Sequence, residues 1–103
     1  MKDECKINHP ETDKIRKEIN KINLEIIRLI KKRMKISLRL LEIKKKLGFN
    51  LRDKKREKIV INNMGDEAVK NGLSKKFGRK LFKLIIKENV RNLKKVEGNL
   101  KWI

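Results

Sequence analysis

The sequence predicts an all-α protein of three helices, the first of them very long, and three observations carry that expectation. From Glu11 to Leu47 there is neither glycine nor proline, and the residues are mostly Lys, Arg, Glu, Leu and Ile. Such residues cost little in a helix or, for Ile, pack well along one. Apolar residues then recur at helical spacing in two further stretches, set off by Gly48 and by Asn71-Gly72. Strand-like alternation, internal repeats and low-complexity linkers are absent from the sequence.

Pro10 and the Thr12/Asp13 pair offer a start to the first helix, with Thr12 or Asp13 as N-cap, and Gly48 stands where a left-handed residue would end it. Stepping alternately by four and three from Ile15 gives Ile19, Ile22, Ile26, Leu29, Arg33, Ile36, Leu40, Ile43 and Leu47. Nine of these ten positions are apolar, the heptad spacing of a helix that packs lengthwise against other helices. A helix of about 35 residues is roughly 50 Å long, whereas a compact chain of this size is only about 34 Å across. Two short helices cannot cover such a seam, so a second copy of the chain is expected to, with the long helices antiparallel in a two-fold dimer. A coiled-coil tether also explains the seam but has no need of two later helices.

After Phe49-Asn50-Leu51 the second helix is expected to begin at Asp53 as N-cap, carry Val60 and Met64 on its inner face and run to about Lys70. Asn71-Gly72 breaks it. Ser74 caps the third helix, where Phe77, Leu81, Phe82, Leu84, Ile85 and Ile86 repeat toward Val96. The expected organisation is a tail over residues 1–11, a helical domain over 12–97 and a second tail over 98–103, whose Trp102 can dock.

At 103 residues, 38% hydrophobic and 4% aromatic, the chain has room for one small domain, which excludes a multi-domain enzyme. With 31 Lys+Arg against 13 Asp+Glu, the net charge of +18 suits an anionic ligand: nucleic acid, an acidic lipid surface or a small polycarboxylate. Lys, Ile and Asn are abundant together, as in a general compositional bias, so the charge is given little weight. The first residues lack the apolar core of a secretory signal, and no apolar run approaches the roughly 18 residues of a membrane span. A soluble cytoplasmic protein is expected. Cys5 and His9 supply two potential ligands where a structural zinc usually takes four, so no metal is expected.

The informative residues are the polar ones that interrupt apolar faces. Arg33 in the seam is costly unless an anion meets it, because a guanidinium taken out of water loses solvation that a partner must restore. The alternative is that it pairs with a carboxylate of the partner helix or reaches back to solvent. Eleven residues on, Lys44 lies only about 20° round the helix from Arg33, with the small Ser37 between them. Arg16 is too far along the axis to join them from the same helix, yet an antiparallel partner could bring its own. On the second helix Asp53 suits the positive end of the helix dipole, whereas Glu57 is aligned with Val60 and Met64 rather than with solvent. On the third, the inward stripe Phe82, Ile86, Asn89, Leu93, Val96 contains one polar residue, Asn89, which needs a hydrogen-bond partner.

Ile15-Arg16-Lys17-Glu18-Ile19, Leu29-Ile30-Lys31-Lys32-Arg33, Ile43-Lys44, Arg52-Asp53-Lys54-Lys55-Arg56-Glu57 and Leu81-Phe82-Lys83-Leu84-Ile85-Ile86 together resemble the all-helical chorismate mutase family, over about residues 12–95. The resemblance implies an intertwined homodimer with two equivalent sites, no cofactor, and chorismate as substrate, rearranged to prephenate in one concerted pericyclic step. It implies that Arg16 of the other chain and Arg33 bind the two carboxylates, and that Lys44 reaches a carboxylate and the ether oxygen. Glu57 would accept a hydrogen bond from the ring hydroxyl, Asp53 and Arg56 would border the site, and Asn89 would stand where the family often has Ser. Such a site holds the flexible dianion folded and places a cation where negative charge grows as the C–O bond breaks.

One position departs from the pattern: four residues after Asn89 the family usually has Gln or Glu, a second donor to the ether oxygen, and this chain has Leu93. A weaker mutase relying on Lys44, or a relative that eliminates pyruvate from isochorismate, is the consequence expected. A nonspecific basic nucleic-acid-binding protein is the rival from another class, although four aromatics and no recognition motif leave only phosphate contacts, whose strength falls steeply with salt. Neither a dehydratase nor a dehydrogenase domain fits in this length, so a stand-alone module is expected.

Overall fold

The computed structural model describes residues 9–50 and 52–96, Val96 by its backbone only. Three helices make up the described chain: α1 (Pro10–Leu47), α2 (Lys54–Lys70) and α3 (Lys75–Val96). Cys5, Trp102 and both expected tails beyond these limits lie outside the described residues.

α1 is 38 residues long and is capped by His9, three or four residues before the expected Thr12 or Asp13. The carbonyl of His9 accepts the Asp13 N–H at 3.0 Å and its Nδ1 accepts the Glu11 N–H at 3.2 Å, the work expected of Thr12 or Asp13. Pro10 then falls at the first helical position, where its fixed φ suits the helix and its missing N–H had no partner to lose. At the other end Gly48 takes φ +73°. Its N–H donates to the Lys45 carbonyl at 3.2 Å, and the Phe49 N–H donates to that of Lys44 at 2.9 Å. This pair of bonds closes the last turn and leaves few carbonyls unpaired.

The chain divides into two compact units, Met1–Arg33 and Met34–Ile103. In the first, α1 presents Ile15, Ile19, Ile22, Ile26 and Leu29, all 49–60% exposed. The second unit holds the rest of α1 with α2 and α3. Its buried apolar side chains are Leu41, Ala68, Ile86 and Leu93. Leu41 is 2% exposed while its neighbour Leu40, a seam residue, is 53% exposed. One residue turns the helix by about 100°, so the seam faces outward where Leu41 faces the core.

α2 begins as the sequence implies: Asp53 is extended at φ −116° and one carboxylate oxygen accepts the Arg56 N–H at 2.9 Å. It ends at Gly72, φ +76°, where the Leu73 N–H donates to Ala68 at 2.8 Å. Ser74 Oγ caps α3 by accepting the Phe77 N–H at 3.0 Å. The two helices meet at small residues. A Cβ on Gly78 of α3 would stand 2.6 Å from the Ala68 Cβ and 2.7 Å from the Met64 carbonyl oxygen of α2.

Candidate functional site

Lys44 sits in the last turn of α1, half-buried, and its carbonyl is held by the Gly48–Phe49 closure. That closure turns the chain back toward α2, and Lys44, Phe49, Asn50, Arg52, Asp53 and Lys54 line a groove of about 490 Å³. Asp53 reaches this groove while capping α2 with one oxygen.

A second groove, about 570 Å³, has Arg52, Glu57 and Ile61 on one side and Ile86, Val90 and the cations of α3 on the other. Arg52 is common to both grooves. Its Nε donates to Glu57 Oε2 at 2.9 Å and its Nη2 to Oε1 at 3.1 Å, a two-pronged pairing of fork and carboxylate. Donating these hydrogen bonds to Glu57 raises the Arg52 pKa above its ordinary value, partial desolvation opposing and the carboxylate charge assisting. Among the α3 cations, Arg91 is tied to Glu88 through Nε at 3.0 Å, whereas Lys83, Lys87 and Lys94 have no ion-pair partner among the described residues.

Lys44 and Asp53 are brought together in one groove, and Glu57 is joined to it through Arg52. Arg56, Asn89 and Leu93 line neither groove. Arg56 is exposed and contributes its backbone N–H to the Asp53 cap. Asn89 is half-buried, and its Oδ1 is buried with no hydrogen-bond partner. Leu93, at 7% exposure, is part of the core. In the first unit Arg16 is exposed and Arg33 half-buried, and neither guanidinium has a partner among the described residues.

Arg52 is the residue that counting along the helices passed over. It lies one position ahead of the α2 cap and five before Glu57, outside the three- and four-residue spacings that flag helical pairs. The signal available was its place in the run Arg52-Asp53-Lys54-Lys55-Arg56-Glu57. Among the described residues no group of three or more His, Cys, Asp or Glu is placed to hold a metal ion, and no described helix is long and apolar enough to cross a membrane.

Comparison with known proteins places the chain as a whole. A family model described as chorismate mutase type II matches residues 15–94. The bifunctional chorismate mutase/prephenate dehydratase of Buchnera aphidicola subsp. Schizaphis graminum is 40% identical over 81 residues, covering 79% of this chain and 21% of that protein. The chorismate mutase of Methanocaldococcus jannaschii is 31% identical over 75 residues, 73% of this chain and 76% of that protein. A second bifunctional protein, from Buchnera aphidicola subsp. Baizongia pistaciae, is 32% identical over 80 residues. The chain thus spans about a fifth of the length of the bifunctional relatives. No solved structure matches it significantly. Because the match runs from residue 15 to residue 94 and so takes in most of the chain, the chain belongs to the chorismate mutase type II family.

Proposed function

We propose that this protein is a chorismate mutase, an isomerase that converts chorismate to prephenate without a cofactor, acting as a homodimer in the cytoplasm. The observation that carries the reading is the family match over residues 15–94, which contains every polar residue that interrupts the apolar faces. The chemistry asks little of the protein beyond position and charge. The substrate is a dianion whose enolpyruvyl arm must fold over its ring, and confining it in that form removes most of the orientational entropy of the step. As the C–O bond breaks, negative charge gathers on the ether oxygen, and a fixed cation there favours the transition state over the ground state.

In this reading Arg33 and Arg16 of the partner subunit bind the two carboxylates. Lys44 serves a carboxylate and the ether oxygen, Glu57 accepts from the ring hydroxyl, and Asp53, Arg56 and Asn89 border the site. Three features support it. Arg33 is half-buried and its guanidinium has no partner among the described residues, Lys44 lines a groove with Arg52 and Asp53, and the Asn89 acceptor is buried and unpaired. All nine apolar seam positions of α1 are 49–61% exposed in the single chain, as a helix awaiting a second copy would be.

The experiment is an ultraviolet assay of chorismate disappearance with purified protein, repeated with Arg33→Ala. Turnover by the wild type and a loss of at least about 100-fold in the variant are expected, the scale of removing a charge-assisted contact from a dry site. No wild-type turnover refutes the reading. Leu93, a core residue at the position where the family resemblance implies a donor, favours one second reading, elimination of pyruvate from isochorismate. Product analysis with both substrates separates the two.

A further inference from the structure

Glu57 is the one carboxylate in a groove whose other ionisable groups are Arg52, Lys83, Lys87, Arg91 and Lys94. Among so many cations a carboxylate on a flexible stem has several competing partners, each drawing its oxygens to a different place. The fork of Arg52 settles the competition by engaging both oxygens, at 2.9 and 3.1 Å. The pair is also better shielded than the other ion pairs among the described residues. Its side chains are 34% and 20% exposed, against 50% or more at Glu25–Arg28, Glu67–Lys70 and Asp66–Lys75, where water weakens the attraction and little order results.

A carboxylate offers about four acceptor sites, two on each oxygen. The fork occupies one on each, so each oxygen keeps a site for a donor in the groove. We propose that Arg52 is a positioning residue, which holds the Glu57 carboxylate by both oxygens as a fixed acceptor for a hydroxyl of the bound substrate. This rests on the mutase reading above, in which that hydroxyl is on the chorismate ring. Arg52 itself need not touch the substrate. Its backbone precedes the Asp53 cap, and the side chain returns along the first turn of α2 to reach Glu57.

The test is a double-mutant cycle on the full chain, with Arg52→Ala, Glu57→Ala, the pair together, and Arg52→Lys, each assayed for chorismate turnover and thermal unfolding. Arg52→Ala is expected to lower kcat/KM by about 10- to 100-fold, the usual range for a residue that orients a contacting group. The loss should fall on KM more than kcat, because the hydroxyl bond exists in the ground state as well as the transition state. Lysine keeps the charge but grips one oxygen, so Arg52→Lys should lie between. On the Glu57→Ala background, Arg52→Ala should add less than about threefold. Additive losses would overturn the proposal, since Arg52 would then act without Glu57. So would a fall in kcat at constant KM that tracks the unfolded fraction, the mark of a merely structural role. Wild-type turnover with an unaffected Arg52→Ala enzyme refutes this inference alone, whereas no wild-type turnover refutes the mutase reading and this inference with it.

Discussion

Leu93 decides how α3 can contribute to the site. Its side chain is buried at 7% exposure, as is that of Ile86 at 8%, in the core of the second unit, and α3 lines the larger groove with Val90 and Lys94 instead. A glutamine there would give up burial of about 1.5–3 kcal/mol and bring an amide whose unmet hydrogen bonds cost about 1–3 kcal/mol. Leu93→Gln is therefore expected to destabilise by about 2.5–6 kcal/mol, read as a lower unfolding temperature, with no gain in chorismate turnover. A rise in turnover at unchanged stability would place position 93 in the site after all. Asn89, one turn earlier, is the contrasting case: its buried Oδ1 has no partner among the described residues, and a buried acceptor of this kind calls for a donor.

At the scale of elements, the contact between α2 and α3 depends on Gly78. A methyl group there would collide with the Ala68 side chain at 2.6 Å and the Met64 carbonyl at 2.7 Å, and backbone cannot rotate away as a side chain does. Overpacking of this kind costs about 1–3 kcal/mol, against about 1 kcal/mol regained from helix propensity. Gly78→Ala should thus lower the urea midpoint, and Gly65→Ala should do so less, because the atoms it meets, Arg79 Cγ at 2.8 Å and Lys75 Cγ at 3.2 Å, belong to long side chains. An equal or raised midpoint for Gly78→Ala would contradict this packing. The caps and breaks at Asp53, Ser74, Gly48 and Gly72 were legible in the sequence because each satisfies backbone groups within a few residues. The cap of α1 lies three or four residues earlier than expected, because His9 is an uncommon cap and Thr12 and Asp13 are common ones. The close approach at Gly78, the burial of Leu41 rather than Leu40 and the Arg52–Glu57 pair were not legible. Each depends on which residue of another element, or of a non-helical spacing, comes to lie opposite, and periodicity along one helix does not carry that information.

For the whole molecule, the seam of α1 raises the question of what a single chain cannot supply. Its nine apolar positions remain about half exposed or more, and a row of that length is what the proposed homodimer would bury. If two copies pair along it and each site takes Arg33 from one chain and Arg16 from the other, two inactive variants can repair each other. An Arg16→Ala chain keeps Arg33, and an Arg33→Ala chain keeps Arg16. A mixed dimer therefore has one site with both arginines and one with neither, whereas each parent dimer has two sites lacking one. Random exchange makes half of the dimers mixed, each half active, so an equal mixture refolded together should recover about a quarter of wild-type turnover from two nearly inactive parents. Sedimentation equilibrium of the same samples should show dimers throughout. If both arginines served a site within one chain, every chain in the mixture would remain defective and no activity would return, even with dimers present. Recovery near a quarter would instead require that Arg16 of one chain serve the site that holds the other chain's Arg33, and pairing along the exposed seam would then join the excess apolar face of the longest helix to the charge needed by a doubly negative substrate.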